Sequence, residues 1–313
     1  MTAMLVSGRS REKDVSNQID VTAPDIVRDA IMLILERHYS ADALACIPTV
    51  IADFARLYRG QYPGYHACDV GYHNIQHVLD VTLAMARLID GYQQCHEDEA
   101  PIPALMAVAG ITCALFHDAG YIRKRNDRRH SNGAEYTRTH VSRSSRFMGE
   151  YLPTVGLSKI LPTCQRIVHF TGYEVNPADI EVPDDIERVL GWLLGTADLI
   201  AQMADVAYLE KCRDELYPEF VEGGMAEGVG KSADTGVMYR SPAHLMQSTP
   251  NFVRSAIQVR LDGYFHAYHR YAAKHFGGAN LYMEAIEANC QRLEALLARN
   301  DPQLLLGDAL SPD

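Results

Sequence analysis

No two of the seven cysteines, at positions 46, 68, 95, 113, 164, 212 and 290, form a C-x-x-C pair, and their odd number leaves one thiol over in any pairing. A disulfide framework is therefore excluded as the organising device, and reduced thiols in a cytoplasmic setting are expected. Basic side chains are in short supply as well. Lys and Arg number 29 against 40 Asp and Glu, a net charge of −11, which argues against duplex nucleic acid as a partner because phosphate binding needs a basic face. Long hydrophobic runs are missing: residues 105–116 form the longest, short of the ~17–25 that span a bilayer. Residues 1–23 are polar, without the apolar core of a signal peptide, so neither membrane insertion nor export is expected. Strand-like alternation is absent, and Pro and Gly are too thinly spread for a disordered or fibrous chain.

What is present is helical periodicity. After Thr22-Ala23-Pro24, apolar residues recur at three- and four-residue spacing through residue 35, and again over 48–58, 74–92, 103–118, 134–152, 158–170, 184–216, 251–276 and 280–299. Prolines 101, 103, 153, 162, 177, 183 and 218 fall at or near segment ends, where they start or stop helices. The pattern predicts a single all-α domain over 23–313, preceded by a loose tail, residues 1–22, that adds nothing to the core. The interval 218–250 carries five glycines and small polar residues. It is expected to be a long Gly-rich loop, either a lid or a passive insert.

Three segments carry chemistry. Tyr72-His73-Asn74-Ile75-Gln76-His77 opens a helix whose wheel places Gln76, Asp80, Arg87 and Asp90 on a wet stripe, with His73 and His77 one turn apart at its border. Residues 104–118 are apolar on nearly every face and end in His117-Asp118. A carboxylate at the C-terminal end of a buried helix is disfavoured by the dipole and by desolvation, and a cation resolves both. In the third, Asp198 is the lone ionisable group between Arg188 and Asp205. Singly, each has a plain structural use: boundary histidines, an exposed dipeptide closing a helix, an aspartate bonded to Thr196. Together, His77, His117, Asp118 and Asp198 make a ligand set suited to divalent Zn, Mn, Fe or Mg and unsuited to soft thiolate chemistry.

The order H…HD…D resembles the HD-domain superfamily of metal-dependent phosphohydrolases, and Tyr72-His73-Asn74-x-x-His77-x-x-Asp80-Val81 is similar to the Y-H-N-x-x-H-x-x-D-V signature of class I cyclic nucleotide phosphodiesterases. The resemblance covers about residues 65–215. It implies an HD-type helical bundle holding two divalent metals, with His77, His117, Asp118 and Asp198 on the tighter one, Asp118 bridging to the second, and His73 protonating the leaving oxygen. The phosphodiesterases' H-D-x-x-H-P-G-x-x-N block is replaced here by His117-Asp118-Ala119-Gly120-Tyr121-Ile122-Arg123. For the second metal the superfamily's bacterial members suggest His140 and His169, with His130 as a rival.

Residues 123–130, Arg-Lys-Arg-Asn-Asp-Arg-Arg-His, form a strongly basic run in an acidic chain. That run, or Arg143 and Arg146 just beyond His140, is a candidate contact for substrate phosphate. The expectation is thus a hydrolase of a small phosphodiester or cyclic nucleotide. The alternatives are a nucleotide phosphomonoesterase or a di-iron HD-type oxygenase, and a homodimer is left open.

Overall fold

The computed structural model describes residues 8–227 and 237–299. The chain is all-α and mostly helical, with no strand among the described residues beyond isolated bridges. The α-helices are α1 (Pro24–Leu35), α2 (Ala41–Leu44), α3 (Ile47–Tyr58), α4 (Ile75–His96), α5 (Ala104–Phe116), α6 (His140–Tyr151), α7 (Leu161–Ile167), α8 (Asp185–Ala204), α9 (Tyr208–Lys211), α10 (Tyr217–Glu222), α11 (Pro242–Ser255), α12 (Arg270–His275) and α13 (Leu281–Ala298).

α4 is the axis of the fold, in contact with α1, α5, α8 and α12. Its start is set by Asn74, whose side chain accepts from the backbone N–H of Gln76 at 2.9 Å and of His77 at 3.2 Å. His73 therefore precedes the helix instead of lying one turn below His77 on it. From His77 to Gln93 the helix is buried on almost every face, and α12 crosses it at Gly91, where a Cβ would meet the Tyr271 carbonyl oxygen at 1.9 Å. The segment Ala104–Tyr121 is apolar and long enough to cross a membrane, yet 83% of it is buried inside the fold. Apolar side chains from Val21 to Leu293 form one contiguous core.

Three expectations need correction. Arg87 and Asp90 are not on a wet stripe: both are buried, because each has found charged or hydrogen-bonding partners on other elements. The guanidinium of Arg87 pairs with Asp14, bonds the Tyr282 hydroxyl at 2.9 Å and lies over the Phe276 ring at 5.1 Å. That pair also overturns the idea of an inert tail, since Asp14 and Val21 are each only 1% exposed; residues 1–7 lie outside the described residues. Lastly, residues 184–216 are not one helix. α8 ends at Ala204, where the Asn289 side chain donates to the carbonyls of Met203 (2.9 Å) and Asp205 (2.8 Å), and the chain bends by 97° before continuing to Glu222.

The interval 218–250 is also more structured than expected. Pro218 sits in the first turn of α10 and Pro242 begins α11, as their fixed φ allows. The ends between them are tied by bonds from Met238 N to Met225 O (2.9 Å) and from Glu227 N to Tyr239 O (3.0 Å). Residues 228–236 lie outside the described residues.

Candidate metal centre

Four side chains from three helices and their ends converge on one point. His77 comes from the first turn of α4, His117 caps α5, Asp118 follows it, and Asp198 lies in α8. Donor atoms of His77, His117 and Asp118, all three buried, lie within 4.8 Å of one another, and this cluster could hold a metal ion. His117 Nε2 is 3.1 Å from Asp118 Oδ2, and His77 Nε2 is 3.6 Å from it. Asp198 Oδ1 is 3.6 Å from His77 Nε2 and 3.7 Å from His117 Nε2.

The two 3.6 Å gaps, from His77 to Asp118 and to Asp198, are informative. Ligands held about 2.0–2.2 Å from a tetrahedral ion are spaced about 3.3–3.6 Å apart, whereas direct hydrogen bonds would be closer to 2.8 Å. Consistent with that, His117 Nε2 and Asp118 Oδ2 are both buried and have no hydrogen-bond partner, a costly condition unless a cation completes them. The His117 ring is already set for ligation. Its Nδ1–H donates to the Ala114 carbonyl at 2.7 Å, so in the neutral ring Nε2 presents a lone pair.

His140, at the start of α6, repeats the device. Its Nδ1–H donates to the Thr137 carbonyl at 2.7 Å, and its Nε2 faces the other oxygen of Asp118, Oδ1, at 3.5 Å. Gly120 makes this approach feasible, because a Cβ there would come within 1.8 Å of the His140 carbonyl oxygen. Asp118 thus has imidazoles on both oxygens.

Protonation follows from this crowding. Burial favours the neutral ring at His77 and at His140 and depresses both. At His117 burial also opposes charge, but Asp118 and Asp198 outweigh it and raise the ring to about 9. Asp118 is held far below the usual carboxylate range: burial works against its charge, and His117 and His73 overcome burial. A proton on His117 is how the cluster offsets its carboxylates, and a divalent cation would displace it.

His73 stands beside the cluster, its ring centroid 5.6 Å from that of His77. Its Nδ1 bonds Glu219 of α10, whose other oxygen accepts from the backbone N–H of Tyr72 at 3.0 Å. Burial disfavours the imidazolium, but Glu219 and then Asp118 raise it to about 9. Tyr121 stacks on both His73 and His140, with centroids 4.6 Å apart in each case.

Other expected residues are placed elsewhere. His169 lies in a 3₁₀ turn after α7, where its neighbours Val168 and Phe170 take the core-facing positions; it does not line the cavity at the cluster, and its electrostatic neighbour is Glu174. His130 is bonded to Glu135 at 2.8 Å. Arg143 is turned away: its guanidinium bonds the Gly120 carbonyl at 2.7 Å and covers the Tyr136 ring at 3.4 Å. With Arg146 it lines a separate cavity. Glu219 was not anticipated because it lies in the stretch read as loop; the signal available was Pro218, a residue suited to the first turn of a helix.

The cluster opens into a cavity of about 800 Å³ whose lining includes His73, Asp118, His140 and Asp198 together with rings such as Tyr173 and Tyr239. Residues 64–273, which contain every one of these side chains, match the model of the Npun_R2479-like family. The chain belongs to this family. The match begins after α3 and ends within α12, so the family's shared part includes the His77–His117–Asp118 cluster, Glu219 and the cavity, and leaves out α1 and α13. No curated protein matches the chain.

Proposed function

We propose that the chain is an HD-type metal-dependent phosphohydrolase, acting as a phosphodiesterase on a small phosphoester or cyclic nucleotide. The observation that carries the reading is Asp118, a buried carboxylate whose Oδ2 faces His77 and His117 without a hydrogen bond while its Oδ1 faces His140. The fit of the donor set to hard or borderline divalent ions supports two positions, one at His77, His117, Asp118 and Asp198 and one reached by Asp118 and His140. Divalent cations held there supply Lewis acidity toward a phosphoryl oxygen and lower the pKa of attacking water.

The chain's own groups do the rest. His73, charged through Glu219, presents its Nε2–H to the departing oxygen and donates that proton as the ester bond breaks. A cation beside Asp118 would draw the His73 pKa down from about 9, toward the range where donation is efficient at neutral pH. Tyr121 holds the ring in plane by stacking. The cavity leaves room for a nucleotide-sized body.

The test is metal analysis of protein purified without chelator, followed by stripping and assay on phosphomonoesters and phosphodiesters with Zn, Mn, Mg or Fe restored. Ester turnover restored by a divalent metal supports the reading. Preference for monoesters would make it a phosphomonoesterase. Tightly held iron, oxygen consumption and no ester turnover would replace it with the di-iron oxygenase.

A further inference from the structure

The basic run has no part in the site above, and the structure gives it a place of its own. The turn that follows α5 separates two cavities. Asp118 and Tyr121 line the large one, while Ala119, Gly120 and Ile122 line a second of about 350 Å³. The two share no lining residue.

Five cationic side chains, Lys124, Arg128, Arg129, Arg143 and Arg146, line this second cavity against two carboxylates, Asp127 and Glu150. Both carboxylates are already taken. Lys124 Nζ is 2.8 Å from each oxygen of Glu150, and Arg129 Nε is 3.5 Å from Asp127. Arg143 is half-buried and bonds backbone carbonyls, which orient it without neutralising it. Arg128 and Arg146 have no ion pair among the described residues. In a chain of net charge −11, a surplus of three positive charges around one concavity attracts an anion.

Guanidinium forks fit phosphate oxygens in pairs, and three uncompensated charges match linked phosphates better than a single one. The volume is at the small end for ligand sites, enough for a polyphosphate group with any remaining body outside. We propose that this cavity binds a di- or triphosphate group, free or carried by a nucleotide, at a site distinct from the metal centre. An occupant would sit against Gly120 and Arg143, the frame that sets Asp118 against His140.

The experiment is calorimetric titration of the metal-free full chain with inorganic pyrophosphate, tripolyphosphate, ADP and orthophosphate. One site is expected for pyrophosphate, with affinity falling as salt rises. Arg128→Ala/Arg146→Ala, at exposed positions that leave the core intact, should weaken it by about tenfold or more. Asp118→Asn should retain it, as should Arg125→Ala, which lies in the same run but outside the cavity. ADP binding as tightly as pyrophosphate would identify a nucleotide as the source, and much weaker ADP binding the free polyphosphate; both support the site. Orthophosphate binding as tightly as pyrophosphate would overturn the ligand class. Absence of binding at millimolar concentration, or binding lost in Asp118→Asn and kept in the double arginine variant, would overturn the site. These outcomes are read without turnover, so they stand apart from the fate of the phosphohydrolase reading.

Discussion

Asp90 and Asp118 are two buried aspartates, each flanked by histidines, and they solve the same problem in opposite ways. Asp90 is closed. His38 Nε2 and His275 Nδ1 approach it at 2.7 Å, Gln94 donates at 2.8 Å and Arg37 at 3.1 Å, so both oxygens are filled. Burial works against its charge, yet the bonds from His275 and His38 hold it below the ordinary carboxylate range. Asp118 is open: its imidazole neighbours stand at 3.1, 3.5 and 3.6 Å, and Oδ2 has no donor. Asp90 ties the end of α1 and α12 to α4, whereas Asp118 leaves Oδ2 without a hydrogen bond, in a cluster that could hold a metal ion. Residue type and burial are shared; the gap between charged atoms separates a clasp from a binding site.

The sharpest way to break this contrast is Asp118→Asn. Metal content should fall below half, and any metal-dependent turnover should drop by about 10² or more, while the melting temperature of the metal-free protein changes little. Full occupancy and normal rate in this variant would show that Asp118 is a second clasp. His73→Ala comes next. It should keep the metal and lose about 10²–10⁴ in rate on esters with poor leaving groups, with a smaller loss on nitrophenyl esters that need no proton; loss of metal instead would place His73 among the ligands.

Asp90→Asn should act on stability alone, costing about 1.5–3 kcal/mol in denaturant titrations, the worth of hydrogen bonds to a charged group. Metal binding to this variant should be unaltered, and a loss of metal would erase the distinction. The smallest effect concerns Glu219→Gln and is a matter of sign. His73 rises from 6.5 to about 9 in the folded chain, so its pairing contributes stability that is complete below about pH 6.5 and is lost as pH climbs through 9. The gap in melting temperature between metal-free wild type and Glu219→Gln should therefore be widest near pH 6 and close by pH 9.5. His117, raised in the same way, is present in both proteins and cancels.

Helical class and the buried His77–His117–Asp118 cluster were legible because each has a local signature. The buried helix α5 announces itself by apolar residues on all faces, and a carboxylate at its end demands a partner. Asp90 was not legible: on a wheel of α4 it falls with Gln76 and Arg87, and only α12, nearly two hundred residues later, brings the His275 that buries it. His169 shows the converse failure, a histidine in a suitable segment whose phase is decided by Phe170 packing toward α8. Glu219 was hidden by glycine content that describes its neighbours 223 and 224 and not its own short helix. The 97° bend that swings it over His73 depends on Asn289 of α13, which no local pattern reports.

The Asp14–Arg87–Tyr282 contact joins the two ends of the described chain through α4, its first two members 73 positions apart and its last two 195. During synthesis, at about 5–20 residues per second, Asp14 emerges on the order of ten seconds to a minute before the tyrosine that completes the contact. Until then Arg87, at the heart of α4, is a buried cation with half its partners unmade. The axis of the bundle can therefore gather its neighbours early but cannot lock before α13 is translated, and the nascent chain should remain open to proteases along α4 until α13 has left the ribosome.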